Sequence, residues 1–442
     1  MKVNRDECQK RAEELIAFLE SSPTSFHAVE QMVKELREAG FLPLSEGEKW
    51  ELKAGGNYYV TRNQSSLLAF KIPEGSVTGF QIMASHSDSP TFKIKENPEM
   101  EAEGHYIKLN VEKYGGMLCA PWFDRPLSVA GRLVIKEGNR LVSKLVNVDR
   151  DLLMIPNLAI HFNREVNEGY KYNAQIDMIP VYGGADAKDT FMVTVAEAAG
   201  VEEGAILGHD LFLYSRTPGT IWGAGKEFVS CGRLDDLQCA FASLKGFLKG
   251  GHPNCVSVHA VLDNEEVGSG TKQGADSTFL EDTLKRINRG LGRSEEEYFM
   301  AIASSFMVSA DNAHAVHPNL SGKADPTNRP YMNEGIVIKY NANQKYTTDA
   351  VSAAMFKALC HSIGVPYQTF ANRSDMLGGS TLGNISNAHV SLNAVDIGLP
   401  QLSMHSPYET VGMYDTCYLI QAAEAFFSTC MKEDGPGCYE MK

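Results

Sequence analysis

The sequence predicts an α/β fold: a central mixed β-sheet flanked by helices and interrupted by a β-rich insertion. Three observations carry that expectation. At 442 residues the chain exceeds the usual size of a single hydrophobic core, so two domains are expected. Apolar runs of strand length alternate with helical patterns toward both ends of the chain. Between about 96 and 224 the texture changes to short alternating segments separated by turns, with few helices. The α/β domain is therefore expected in two pieces, 1–92 and 225–442, around an insertion over 93–224.

The elements follow in order. Apolar spacing predicts helices over 7–19 and 25–39, with Ser21-Ser22-Pro23-Thr24-Ser25 supplying the turn and cap, and Gly40 the stop. His27 falls in the first turn of the second helix and reads as structural. Strands are expected at 58–60, 67–72 and 79–85. In the insertion, 127–136 and 140–148 flank Gly138-Asn139 as a hairpin. The segments 178–182 and 211–215 read as further strands, and 189–199 as a helix. Beyond the insertion come helices at 235–248 and 349–363, strands at 256–262 and 306–310, and a closing helix at 416–431.

Composition excludes several function classes. A formal net charge of −14 offers no basic field for nucleic acid. No apolar run approaches the roughly 20 residues of a membrane span. The start Met1-Lys2-Val3-Asn4-Arg5-Asp6-Glu7 is too acidic for a signal peptide. Nine cysteines without a Cys-x-x-Cys pair read as reduced thiols of a cytoplasmic protein.

Chemistry gathers at the strand ends. The run 256–262 delivers Asp263-Asn264-Glu265-Glu266 into a turn closed by Val267-Gly268-Ser269. The strand at 79–85 leads to His86-Ser87-Asp88, and 306–310 leads to Asp311. The segment 395–400 leads to His405, and Asp235-Asp236 opens a helix whose apolar face is Leu237, Phe241, Leu244 and Leu248. Acids at the carboxyl ends of strands are how open α/β enzymes place metal ligands and bases. Imidazole and carboxylate together suit zinc, manganese or cobalt, and a shared carboxylate suits two metals. Each piece also has an innocent reading: His86 as a hydrogen-bonded strand-end histidine, Asp235 and Asp236 as an N-cap and a first-turn acid. One metal site accounts for all of them at once.

These residues resemble a known family. His86-Ser87-Asp88-Ser89-Pro90, Trp122-Phe123-Asp124-Arg125, Arg233-Leu234-Asp235, the 263–269 run, Ser309-Ala310-Asp311 with His314-Ala315-Val316-His317-Pro318-Asn319, and Gln401-Leu402-Ser403-Met404-His405-Ser406 resemble the aspartyl aminopeptidases, co-catalytic zinc exopeptidases. The resemblance spans nearly the whole chain. It implies that His86 and Asp311 bind one zinc, Glu266 and His405 the other, and that Asp235 bridges them; motif register favours Asp235 over Asp236. It also implies that Asp88 orients His86 and that Glu265 is the general base. Cobalt or manganese would be substitutes for the two zinc ions. Peptides with an acidic N-terminal residue are the implied substrates, with Lys339 receiving the acidic side chain and Tyr346 lining the pocket. His161 would reach a neighbouring subunit's active site and stabilise the oxyanion. The insertion would be a dimerisation domain, in a homo-oligomer built from dimers such as a dodecamer. Gly378-Gly379-Ser380-Thr381-Leu382-Gly383 lacks the lysine of a phosphate loop and reads as backbone that approaches substrate.

Two rivals remain open at this point. A carboxypeptidase or amidohydrolase of the same zinc chemistry would recognise a substrate carboxylate instead of an amine. A non-catalytic assembly protein would carry a vestigial site, against which the retention of Glu265 and every candidate ligand speaks.

Overall fold

The structure, a computed structural model, describes residues 4–442. Its centre is a nine-stranded sheet. Four adjacent strands of that sheet are parallel: Cys255–Leu262, Gly79–His86, Phe306–Ala310 and Asn393–Gly398. Every residue of the first two is buried, so they show no polar alternation. That is the pattern of strands covered on both faces. Antiparallel neighbours, Ser66–Lys71 on one side and Ile336–Tyr340 on the other, make the sheet mixed.

Helices supply both covers. On one face pack Arg5–Glu20, Ser25–Glu38, Leu234–Lys249, Ala350–Ile363 and Asp415–Phe427, around Leu15, Leu237, Phe241, Phe356 and Phe426. On the other lie Phe279–Gly290, which buries Phe279, Leu284 and Ile287 in one cluster with Phe70 and Phe80, and Glu295–Ala303, which adds Tyr298 and Ala301. Each such side chain contributes about 1.5–3 kcal/mol of burial. His27 is buried, and its Nδ1 lies 2.8 Å from Thr24 Oγ1 at the second helix's start.

The strands between Thr91 and Ser215 form a separate six-stranded antiparallel sheet with the helix Phe191–Ala199 beside it. Its core holds Phe92, Trp122, Leu133, Phe191 and Leu211. The expected hairpin is Leu127–Glu137 and Arg140–Asn147, turned by Gly138 at φ +61° and Asn139. A five-stranded sheet then returns the chain toward the centre. In it Pro400–Leu402 and Glu409–Gly412 run antiparallel, with His405 on the loop between them.

Four expectations are revised. The strand expected at 178–182 is Val181–Gly184; Met178 and Ile179 are buried without joining it, since Pro180 has no N–H to give a ladder. The closing helix stops at Phe427, and Met431–Glu433 turns back as a strand against Tyr439–Met441. Asp235 and Asp236 have non-helical dihedrals, so neither is a first-turn helical acid. Cys255 and Cys430 are joined as a disulfide, contrary to the expectation of reduced thiols throughout, while the other seven cysteines are free. Among the described residues no helix is long and apolar enough to cross a membrane.

Candidate metal centre

Parallel pairing aligns the strand ends. Leu262 pairs with His86 and Ser309 with Ala84, so the 263–266 turn, His86 and Asp311 emerge together at the carboxyl ends of the central strands. There His86 Nε2 lies 3.5 Å from Asp235 Oδ1 and 3.9 Å from Asp311 Oδ1. His405 Nε2 lies 3.3 Å from Glu266 Oε2 and 3.6 Å from Asp235 Oδ2. Asp235 thus turns one oxygen to each histidine. His86–Asp235–Asp311 and Asp235–Glu266–His405 each gather their donor atoms within 4.8 Å of one another, and His86, Glu265 and Glu266 form a third such group.

The backbone around these side chains is held by buried carboxylates. Glu265 and Glu266 sit on a single tight turn between Asn264 (φ +62°) and Gly268 (φ +96°), left-handed positions that asparagine and glycine tolerate. Asp88 Oδ1 accepts the Glu265 N–H at 3.1 Å, and its Oδ2 accepts the Glu266 N–H at 3.2 Å. His86 Nδ1 lies 3.1 Å from the Asp88 main-chain oxygen and 3.4 Å from its carboxylate, so the nearer partner of the ring is backbone. Asp236 Oδ2 accepts the His86 N–H at 3.2 Å, a supporting place beneath the cluster.

Sequence reasoning missed two residues of this shell. Glu409, 1 % exposed, accepts the Asp235 N–H at 3.0 Å and the His405 N–H at 2.8 Å. Tyr114, from the antiparallel sheet, donates its hydroxyl to Asp88 Oδ2 at 2.7 Å. Neither carries a motif that marks it.

Electrostatically the cluster is starved of positive charge. Burial pushes Glu265 up to about 8, with Asp311, Asp88 and Asp235 adding to the shift against the pull of His86. Burial likewise raises Glu266, Asp236 and Asp311. Burial favours the neutral form of Asp235 too, but His86, His405 and Lys339 hold it ionised. Buried Asp235 Oδ1 and Glu266 Oε1 have no hydrogen-bond partner. An orphaned Asp235 oxygen facing His86 and an unpartnered buried oxygen on Glu266 fit a borderline divalent cation such as zinc, which would relieve the repulsion.

Lys339, 2 % exposed at the end of Ile336–Tyr340, lies beside the cluster. Its Nζ is 3.5 Å from Asp311 Oδ2 and 5.5 Å from the ring centre of Tyr346, itself buried. Burial opposes its charge, but Asp311, Tyr346 and Asp396 outweigh that and raise its pKa. His161 is not among the gathered groups; it sits on an exposed turn of the insertion. In the glycine-rich segment, Thr381 is buried with its hydroxyl on Asp396 Oδ1 at 2.6 Å.

Known proteins share this sequence and this fold. Residues 18–427 match the aminopeptidase I zinc metalloprotease family, M18. A probable M18 family aminopeptidase 2 of Clostridium acetobutylicum is 47% identical over 94% of this chain and 98% of its own. Among solved structures, the Ape4 and Nbr1 complex contains a chain with TM-score 0.93 and 35% identity, covering 97% of this chain and 88% of that one. The S. cerevisiae mApe1 dodecamer gives TM-score 0.83 and 28% identity over 95% of this chain and 96% of that one. The chain belongs to the M18 family of zinc metalloproteases and is a metalloaminopeptidase.

Proposed function

We propose that this aminopeptidase removes acidic N-terminal residues from peptides with two zinc ions per subunit. His86, Asp311 and one oxygen of Asp235 would hold one ion; Glu266, His405 and the other oxygen of Asp235 would hold the second. The observation that carries this reading is Asp235 facing both histidines at 3.5 and 3.6 Å. Bound zinc supplies Lewis acidity and lowers the pKa of water toward neutrality, and cobalt or manganese can substitute where their coordination allows. Glu265 takes the attacking water's proton and returns it to the leaving amine. A carboxylate that sits beside the ions without being bound to them is free to make both transfers. Asp88 accepts the backbone N–H groups of both Glu265 and Glu266, and so holds the base and the neighbouring ligand on one turn beside the metals.

Lys339 gives the reading its substrate class. A buried, charged ammonium at the rim of a carboxylate-rich site recognises an acidic side chain. His161 acts from a second subunit, with the insertion 93–224 as the dimerisation domain and the dimers building a larger ring or shell. Exposed Leu158 (60 %), Ile160 (47 %) and Phe162 (80 %), beside His161 in the chain, support a covered surface there. The dodecameric relative supports the larger assembly. For the proposed cytoplasmic setting the seven free thiols count in favour and the Cys255–Cys430 disulfide counts against.

The test is a panel of Asp-, Glu- and Ala-initiated chromogenic substrates, free and N-acetylated, on zinc-loaded enzyme with metal counted by mass spectrometry. Acidic substrates with a free amine should turn over fastest, at two zinc ions per subunit. Turnover of acetylated substrates would point to the carboxypeptidase or amidohydrolase reading, and saturation at one zinc would end the two-ion reading.

A further inference from the structure

The strand Tyr106–Tyr114 belongs to the antiparallel sheet, yet the residues after it reach the metal centre of the same subunit. Tyr114 is anchored in its own sheet by an edge-on contact with Phe212, ring centres 5.7 Å apart. Its hydroxyl leaves that sheet, donates to Asp88 Oδ2 and accepts from Asn264 Nδ2, both at 2.7 Å. Gly115, at φ +76°, passes so close to the glutamate turn that a Cβ there would stand 3.2 Å from Glu266 Cβ. Leu118 then gives its N–H to the His405 oxygen at 3.1 Å.

We propose that residues 114–118 form a strap by which the insertion sets the geometry of the metal centre in cis, with Tyr114 a positioning residue acting through Asp88. Asp88 is 4 % exposed and receives three donors: the Glu265 N–H, the Glu266 N–H and the Tyr114 hydroxyl. Two of these fix the adjacent glutamates, and the third comes from the other sheet. Removing it frees a carboxylate that holds both glutamates and lies against His86. At its far end the strap fixes the backbone of His405, so it spans residues of both candidate triads. Outer hydrogen bonds of this kind hold metal ligands in register, and their loss typically costs 10–100-fold in affinity. The inference rests on the reading of His86, Asp235, Glu266, Asp311 and His405 as zinc ligands.

The experiment uses the full-length zinc enzyme and Tyr114→Phe, which removes one oxygen and keeps the ring. Chelator competition should give zinc affinity weaker by about 10–100-fold, with kcat lowered and KM within about twofold. The metal-stripped proteins should melt together. Gly115→Ala, pressing on Glu266 from the other side, should loosen zinc in the same assay. Zinc affinity and kcat equal to wild type in Tyr114→Phe would overturn the strap. So would a lower melting temperature of the stripped variant with zinc affinity unchanged, since that marks a purely structural tyrosine. Glu266→Gln and His405→Ala serve as reference. If both hold two zinc ions as tightly as wild type, it is the ligand reading that fails, whatever Tyr114→Phe does.

Discussion

Two neighbouring glutamates on one turn can divide ligation from proton transfer because the turn points their side chains differently. Glu266 Oε2 faces His405 at 3.3 Å and also shares a group with Glu265 and His86, whereas Glu265 belongs to neither group that contains Asp235. Glu265→Gln should therefore keep both metals and lose about 10²–10⁴-fold in kcat. Glu266→Gln should lose metal first. Metal counting beside steady-state kinetics separates the two, and near-normal turnover of fully loaded Glu265→Gln would reject its role as base. Lys339→Leu should cost acidic substrates about 1.5–3 kcal/mol more than alanine-initiated ones. Because Lys339 also faces Asp311 at 3.5 Å, its metal content must be measured alongside. An equal decline for all substrates would make Lys339 a partner of Asp311 only. Residues such as His86, Asp311 and Glu266 were legible because each ends an apolar run. Tyr114 and Glu409 were not, since a tyrosine closing an alternating strand and a glutamate after a turn look ordinary until the fold closes on them.

Elements were most legible where periodicity was long. The strand Cys255–Leu262 and the helix Ala350–Ile363 fall within a residue or so of expectation because buried apolar spacing leaves no alternative register. The misses are local chemistry overruling pattern. Pro180 delays a strand, and the chain leaves its last helix at Phe427 to pair Met431 with Met441. Asp235 is drawn out of helical geometry where Glu409 accepts its N–H. Pattern also hid a polar link in the core. His259, fully buried midway along Cys255–Leu262, has its Nδ1 2.9 Å from Ser243 Oγ on the helix Leu234–Lys249. Burial lowers its pKa to about 3 from an ordinary 6.5. Between those values the unfolded chain binds a proton the folded one refuses. His259 therefore supports stability fully above pH 6.5 and ever less as pH falls toward 3, at up to about 1.4 kcal/mol per pH unit. His27, lowered to about 4 by burial and by Arg233, adds a parallel loss. His259→Gln should flatten the acid limb of melting temperature against pH without abolishing it. An unchanged limb would place the proton uptake elsewhere.

At the scale of the whole molecule, the insertion is the part whose purpose the single chain leaves open. It has its own core and brings none of the six histidine and carboxylate residues gathered at the metal centre, all of which lie before or after it in the sequence. The separate sheet between Thr91 and Ser215 was legible as a change in texture; its use was not, because an interface is written in what stays uncovered. Leu158, Ile160 and Phe162 are 60 %, 47 % and 80 % exposed around His161, a concentration of apolar surface that a partner would bury. A two-fold interface exchanges equivalent contacts, so each active site would receive the partner's copy of this turn. If His161 supplies an oxyanion donor there, His161→Ala should lower kcat about 10²–10³-fold and leave zinc content unchanged. Glu265→Gln fails for a different reason and carries an intact His161. Mixing the two inactive proteins should therefore restore activity, since one site of each hybrid dimer combines a wild-type Glu265 with a wild-type His161. The control is subunit exchange, followed by tagging the two variants differently and isolating the hybrid. If isolated hybrids are as inactive as either parent, His161 serves its own subunit, and the exposed turn needs another explanation.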